Sequence, residues 1–176
     1  RGMMVSFIQS NYMGFGSGVV EPTFSVSLQN RGAGFSLDAK HPNVVAPGKK
    51  PFHTIIPGFL TKDGAPVMSF GIMGGNMQPQ AHVQTLVRML CHSQNPQAAC
   101  DAPRWRFNEG LDLNVERHMP AATVDGLRAL GHNLVGIDDS YMDFGAGQFI
   151  WRLGDPGVEG YVAASDSRRD GQAAGF

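Results

Sequence analysis

The segment PGKKPFHTIIPGFLTKDGAPVMSFGIMGGN, residues 47–76, decides the fold. It contains two apolar runs, Phe52–Leu60 and Pro66–Ile72, separated by the triplet Lys62-Asp63-Gly64. Apolar runs joined by a short turn that contains Asp-Gly are typical of a β-hairpin. We therefore predict a hairpin whose second strand runs into the pair Gly74-Gly75.

This glycine pair is the first candidate site. Adjacent glycines at a strand end leave bare peptide N–H groups, which can approach a ligand closely and point at a developing negative charge. Such a geometry is an oxyanion hole. An ordinary strand-to-helix turn is the alternative interpretation, and the glycine pair alone favours that alternative.

Length and composition narrow the function. A chain of 176 residues is long enough for one domain with a real core, and we predict a single domain over residues 1–176. A formal charge of -1 with 16% charged residues gives no field that would gather nucleic acid or an anionic membrane. Small molecules or protein partners are therefore expected.

Several further expectations follow from what the sequence contains. No apolar run is as long as a bilayer span and no signal peptide opens the chain, so we expect a soluble protein, either cytoplasmic or periplasmic. Cys91 and Cys100 have no metal-ligand spacing, and the glycines at 14–18 lack the spacing of a phosphate-binding loop. We therefore predict neither a metal nor another cofactor. Because the chain starts at Arg1, we expect a processed product or a fragment.

The remaining pattern predicts a layered α+β fold rather than a parallel sheet built from β-α-β units. Met3–Ser10 alternates apolar and polar residues as a strand does, and Val19–Leu28 reads as a strand interrupted by Pro22. The strongest helix is Gln78–His92, in which Asn76 can cap the start and Pro79 suits the first turn. Its core face is predicted to carry Val83, Leu86, Val87, Leu90 and Cys91. Further predicted helices are Pro96–Asp101 and Thr123–Leu130, and further strands are Leu111–Glu116, Asn133–Ile137, Gln148–Leu153 and Tyr161–Ala164.

Read together, a series of short motifs resembles the small, C-terminal subunit of the gamma-glutamyltranspeptidase family of N-terminal-nucleophile hydrolases. The motifs occur in family order and cover essentially the whole chain. They are Phe15-Gly16-Ser17-Gly18, Pro47-Gly48-Lys49-Lys50-Pro51, Lys62-Asp63-Gly64, Gly74-Gly75, Asn95-Pro96-Gln97-Ala98-Ala99, Asp101-Ala102-Pro103-Arg104, Val115-Glu116, Gly131-His132 and Ala164-Ser165-Asp166 with Arg168.

The resemblance implies an αββα sandwich and a precursor that cuts itself to expose an N-terminal threonine. That threonine attacks a gamma-glutamyl amide, and its own α-amine serves as the base. In the family the nucleophile lies just ahead of the strand that begins here at Gly2, and Arg1 does not match it. We therefore expect the large N-terminal subunit of the same precursor as partner and a small-molecule amide as substrate. Alone, this chain should be inactive and should self-associate, with a homo-oligomer as one form.

The resemblance also implies site residues. Gly74 and Gly75 match the glycines of the oxyanion hole, which overturns the interpretation as an ordinary turn. Ser10 matches a hydroxyl residue that orients the nucleophile, and a hydroxyl that merely satisfies backbone groups is the equal alternative. Asn11 lies next to the position of a family asparagine, which Tyr12 occupies, and is a candidate substitute.

Other positions depart from the family pattern. Gly34 stands where the family has an acidic residue for the substrate α-ammonium, and Arg31 stands where it has glutamine or glutamate. His53 and Thr54 replace the serine pair that holds the α-carboxylate. We hypothesise an acyl group without an α-amine, such as a glutaryl chain, whose distal carboxylate is held by Arg31 and Thr54.

Some residues keep a plainer interpretation. A lone arginine in a loop is usually solvated, as Arg31 would then be, and a histidine on an apolar strand is more often a packed core residue, as His53 would be. Asp166 and Arg168 are expected to form a structural ion pair or to anchor a loop, rather than to act as catalytic groups. At the level of the protein, the alternatives are an inactive family member that serves as a binding or scaffold protein, and an ordinary α+β binding domain.

Overall fold

The structure is a computed structural model that describes residues 2–175, with the side chains of Tyr141 and Met142 excepted. These residues form two compact units, one made of residues 2–7 with 57–175 and the other of Ile8–Ile56. The strands are β1 (Val20–Glu21), β2 (Val26–Ser27), β3 (Pro57–Lys62), β4 (Ala65–Met73), β5 (Trp105–Glu109), β6 (Asp112–Glu116), β7 (Asn133–Ile137), β8 (Ala146–Arg152) and β9 (Tyr161–Ser165), and the α-helices are α1 (Gln78–His92), α2 (Pro96–Asp101), α3 (Ala121–Ala129) and α4 (Ser140–Asp143).

The unit Ile8–Ile56 is built mainly of turns. Its strands β1 and β2 are two residues long each and pair as an antiparallel hairpin, in place of the single strand, interrupted by Pro22, that the sequence predicts over Val19–Leu28. The chain turns at residues 22–25 because the carboxylate of Glu21 accepts hydrogen bonds from the peptide N–H groups of Thr23 and Phe24. A single 3-10 turn, Arg31–Gly34, follows. Asp38–Lys50 forms turns and loops, as predicted.

The larger unit is organised around a four-stranded antiparallel sheet of order β3-β4-β8-β9. The predicted hairpin is its β3–β4 pair, although β3 begins at Pro57 rather than at Phe52. Asp63 and Gly64 have φ angles of 52° and 78°, and two positive φ angles in a two-residue loop define the type I′ turn that matches strand twist. Phe70 and Phe149 stack across β4 and β8 with ring centroids 6.0 Å apart in the core.

The predicted strand over Met3–Ser10 is wrong, because none of residues 2–10 pairs with a strand in the part of the chain that the structure describes. The alternation is nevertheless present: Met3, Val5 and Phe7 are exposed and the residues between them are half-buried. Ser6 Oγ donates to the carbonyl oxygen of Phe70 at 2.7 Å. Because β4 is already paired on both edges by β3 and β8, it has no free edge to which residues 2–10 could add as a strand.

A second sheet of order β5-β6-β7 contains one parallel pair, β6–β7, with α3 between the two strands. The sequence pattern did not predict β5, and it favoured a fold without a β-α-β unit. The edge of β5 is covered by side chains of α1. Gln84 bonds both backbone groups of Trp105 at 2.8 and 3.1 Å, and Gln80 bonds both groups of Phe107 at 3.2 and 2.7 Å.

Helices α1 and α2 have the predicted bounds, but the predicted core face of α1 is wrong. The buried face carries Gln78, Ala81, His82, Thr85 and Met89. Val83, Val87, Leu90 and Cys91 are exposed and Leu86 is half-buried. The prediction counted apolar residues only, whereas the real core face carries polar side chains with partners: His82 Nε2 accepts the peptide N–H of Ile72 at 3.2 Å, and Thr85 Oγ1 donates to Ala81 O at 2.8 Å. Asn76 is not the cap, since Met77 occupies that position.

Candidate active site

The glycine pair lies just beyond the paired part of β4. The β4–β8 register ends at Met73–Ala146, and Gly75 begins a 3-10 turn of three residues that leads into α1. Gly74 and Gly75 have φ angles of 134° and 57°, which L side chains rarely adopt. Within residues 2–175, neither peptide N–H donates to a backbone carbonyl outside the helices and strands. The turn therefore meets the requirement for a pair of oxyanion donors, namely that they lie outside the sheet ladder.

The two glycines differ in their surroundings. A Cβ built on Gly74 would lie 2.9 Å from the Cα of Gly145, so Gly74 packs backbone against backbone. A Cβ built on Gly75 would have no atom within 4 Å, which leaves that side open. Next along the chain, Asn76 lines a cavity of about 350 Å³. Its other lining residues are Gln80, Arg106, Phe107, Asn108 and Glu109.

The unit Ile8–Ile56 contains a separate cluster around Arg31. The side chain is buried, with 5% of the residue exposed, so its interpretation as a solvated loop cation is wrong. Its Nη1 donates to Thr54 Oγ1 at 2.5 Å and its Nη2 donates to the carbonyl oxygen of Ser10 at 3.0 Å. The guanidinium carbon lies 5.6 Å from the ring centroid of Tyr12, a distance at which cation-π attraction operates. The structure thus brings together two residues of the hypothesised carboxylate site, Arg31 and Thr54.

The other candidates of this unit are placed less centrally. The hydroxyl of Ser10 accepts the peptide N–H of Tyr12 at 2.9 Å, which is the backbone-satisfying alternative for this residue. Asn11 is half-buried, and its carbonyl oxygen accepts from the peptide N–H of Asn30 at 3.1 Å. His53 is exposed, so its interpretation as a packed core residue is wrong. Its predicted role in substrate binding stays a prediction.

Three of the sequence motifs meet in a buried charge cluster that sequence reasoning did not assemble. Arg104 Nη2 pairs with Asp166 Oδ2 at 2.7 Å, Arg168 Nη2 with Glu116 Oε2 at 2.5 Å and Arg168 Nη1 with Asp166 Oδ1 at 3.0 Å. The predicted ion pair between Asp166 and Arg168 is confirmed. The signal for the full cluster was present, because all four residues lie in motifs of the family resemblance.

The cluster keeps both carboxylates ionised. Burial alone would raise the pKa of Asp166, but the charge of Arg104 and peptide N–H bonds from Arg168 and Gly147 hold that pKa below its ordinary value. Burial likewise opposes ionisation of Glu116, whose pKa is lowered mainly by hydrogen bonds from Arg168. A lowered folded-state pKa stabilises the fold above the ordinary pKa of the group, and this stabilisation disappears as pH falls through the lowered value.

We therefore expect the complete protein to lose stability steeply below about pH 4.5, where the unfolded chain takes up protons that the folded cluster resists. The measurement is the melting temperature from pH 6 to pH 3 for the native protein and Asp166→Asn, with Asp125→Asn as control because Asp125 is in an exposed pair. Asp166→Asn should be less stable at pH 6 and should show the shallower decline. Identical declines in all three proteins would contradict this assignment.

Cys100 is buried against the same cluster. Its Sγ lies 3.4 Å from Asp166 Oδ2, and burial together with the charge of Asp166 raises the pKa of the thiol to about 12. Since the thiolate is the reactive form, Cys100 should be inert. In the folded Cys91→Ser variant at pH 8, we expect iodoacetamide to leave Cys100 unmodified. In the same variant unfolded by urea, we expect Cys100 to be labelled within minutes. Rapid labelling of the native protein would show that the thiol is accessible and ionised.

Within residues 2–175, no group of three or more His, Cys, Asp or Glu side chains is arranged to hold a metal ion. In the same range, no helix is both long enough and apolar enough to cross a membrane.

A likeness in fold and a family model together define the family of this chain. It superposes on the gamma-glutamyltranspeptidase from Pseudomonas nitroreducens with a TM-score of 0.82 at 22% identity, covering 98% of this chain and 93% of that one. At this identity the likeness shows the fold alone, which is of the α+β class. The family model for gamma-glutamyltranspeptidase matches residues 1–176, and the chain belongs to this family.

Two proteins of higher sequence identity extend the comparison. The oxamate amidohydrolase proenzyme of Klebsiella pneumoniae is 39% identical over 180 residues, which cover 99% of this chain and 34% of that protein. The cephalosporin acylase from Bacillus halodurans is 48% identical, with a TM-score of 0.88, and the match covers 96% of this chain and 31% of that one. The chain thus spans about a third of the length of these relatives.

Proposed function

We propose that the chain is the small-subunit part of an amide hydrolase or acyltransferase that works through an acyl-enzyme. The nucleophile comes from the part of the precursor that precedes this chain. The peptide N–H groups of Gly74 and Gly75 stabilise the oxyanion, and the Arg31 cluster selects the acyl group. The preferred acyl group carries a distal carboxylate and lacks an α-ammonium, as a glutaryl group does.

The burial of Arg31 without a carboxylate is the observation that supports this choice. Within residues 2–175, no carboxylate oxygen lies within 4.0 Å of its guanidinium. A buried cation is costly unless an anion compensates it. A substrate carboxylate would supply that anion, and the planar guanidinium fork is well matched to a carboxylate in two-point contact.

The absence of an acidic side chain at position 34 supports the same choice. A gamma-glutamyl group carries an α-ammonium, whose natural partner is a carboxylate, and Gly34 cannot provide one. The name of one relative, the oxamate amidohydrolase proenzyme, agrees with this chemistry. Oxamate is the half-amide of oxalic acid, so its acyl group carries a carboxylate and no amine.

The experiment is a side-by-side measurement of kcat/KM for glutaryl and gamma-glutamyl anilides by the complete protein, with oxamate as a short dicarboxylic amide. We expect the glutaryl compound to be hydrolysed with the higher kcat/KM. A clear preference for the gamma-glutamyl anilide would refute the proposed acyl specificity.

The rest of the precursor also has a proposed contact on this chain. Val83, Val87 and Leu90 recur at helical spacing on α1 and form an apolar stripe that the larger unit leaves exposed. The relatives are proenzymes of about three times this length, so the remaining two thirds include a large subunit that would cover the stripe.

We expect Val87→Glu to lower the melting temperature of the complete protein by several degrees, because a buried unpaired charge is costly at such a contact. Val158→Glu is the matched control, since Val158 is exposed in the loop between β8 and β9. Equal melting temperatures for the two variants would show that the stripe remains exposed to solvent in the complete protein.

A further inference from the structure

The buried charge cluster contains two cations and two anions in an apolar setting. Arg104, Glu116 and Asp166 are at most 1% exposed, and the side chain of Arg168 is 5% exposed. Replacing a buried ion pair with well-packed apolar residues often leaves stability unchanged or improves it. Stability alone therefore does not explain the four buried charges. The backbone groups to which they are hydrogen-bonded indicate a further role.

Arg104 holds the segment that leads into β8. Its Nη1 donates to the carbonyl oxygens of Phe144 at 3.0 Å and Gly145 at 3.1 Å, and its Nη2 donates to Cys100 O at 3.1 Å. Asp166, its ion-pair partner, accepts the peptide N–H of Gly147 at 2.8 Å. Residues 144–147 are therefore bonded on their carbonyl side by Arg104 and on their N–H side by Asp166.

Gly145 in turn supports the glycine pair. A Cβ on Gly145 would lie 2.1 Å from the carbonyl oxygen of Met73, and a Cβ on Gly74 would lie 2.9 Å from the Cα of Gly145. The two backbones are thus in direct contact with no side chain between them. Because close-packed groups cannot move independently, a displacement of Gly145 displaces Gly74 with it.

We propose that Arg104 is a positioning residue for the turn that contains Gly74 and Gly75, and that it acts on this turn through Gly145. Oxyanion donors act only when they are held at hydrogen-bond distance, about 2.7–3.1 Å, from the position of the developing charge to within about 0.5 Å, so a support behind them affects the rate of acylation. The inference rests on the proposed function, since it assumes that the turn stabilises an oxyanion.

The test is Arg104→Lys in the complete protein. Lysine keeps the charge opposite Asp166, but a single ammonium cannot reproduce the planar fork that reaches Phe144, Gly145 and Cys100 together. We expect kcat for the glutaryl anilide to fall about 10- to 100-fold. KM should change less than about twofold, because the contacts that bind the substrate before the reaction are unchanged.

Arg168→Lys is the matched control. It makes the same change in the same cluster, but Arg168 bonds none of residues 144–147. It should lower the melting temperature about as much and leave kcat within about threefold. Equal losses of kcat in the two variants, or a change confined to KM, would overturn the positioning role.

Asp166→Asn provides the same comparison if Arg104→Lys does not fold. Its amide oxygen can still accept from Gly147, so a partial loss of kcat relative to Arg168→Lys is expected, and no loss would overturn the proposal. The two proposals fail differently. A native protein that hydrolyses no amide refutes the proposed function, whereas an active native protein with equal lysine variants refutes only the role of Arg104.

Discussion

Replacing Gly75 with alanine is expected to lower kcat/KM of the complete protein by about 10²- to 10³-fold, the loss typical of a damaged oxyanion hole. Gly75 has a φ angle of 57°, and an L residue in the left-handed region costs about 1–2 kcal/mol. The turn relieves that strain by rotating, which moves the peptide N–H groups of residues 74 and 75. Activity should therefore fall far more than the small loss of stability explains.

Gly64→Ala is the matched control for this variant. Gly64 has a φ angle of 78°, and a Cβ built there also meets no atom within 4 Å. It lies in the β3–β4 turn, at the opposite end of β4 from the glycine pair. We expect the two variants to melt at similar temperatures and only Gly75→Ala to lose activity. Similar activities of the two variants at similar stability would show that the glycine pair is not part of the active site.

The second large effect is expected from Gly34→Asp, which should shift the preference from glutaryl towards gamma-glutamyl anilides by about 10-fold or more. The new carboxylate offers a partner to the α-ammonium of the gamma-glutamyl group and repels the carboxylate of the glutaryl group. A Cβ at Gly34 has only an ordinary contact of 3.6 Å with Phe52 O, so the backbone accepts the side chain.

Gly32→Asp is the control for this change. It puts the same charge in the same 3-10 turn, and a Cβ at Gly32 meets no atom within 4 Å. Both variants should fold, and the ratio of the two kcat/KM values should change only for Gly34→Asp. An unchanged ratio in Gly34→Asp, or equal changes in both variants, would contradict the role given to position 34.

The sequence was sufficient for the elements whose signals are local. The β3–β4 hairpin follows from Asp63-Gly64 between apolar runs, and the bounds of α1 follow from its helical pattern and Pro79. The buried face of α1 could not be derived in this way. His82, for example, is buried because Ile72 of the neighbouring strand supplies its hydrogen-bond partner, which no local pattern contains.

The family resemblance and residue chemistry together anticipated one contact of the candidate site. The departures at Arg31 and Thr54 indicated a carboxylate site, and the structure places the two side chains in contact. The support behind the glycine pair was not predictable, because Arg104 and Asp166 are 62 residues apart and Gly145 has no signature beyond being a glycine. Contacts of this kind depend on the register of several strands at once.

The central claim is that the complete protein forms an acyl-enzyme with the help of the glycine pair, and intact mass spectrometry tests it most directly. The complete protein is mixed with glutaryl anilide, quenched in acid within the first turnover and weighed. We predict one added glutaryl group on the native protein and on Gly64→Ala, with little or none on Gly75→Ala. No adduct on the native protein, with no aniline released, would contradict the account and favour an inactive family member that binds without cleaving.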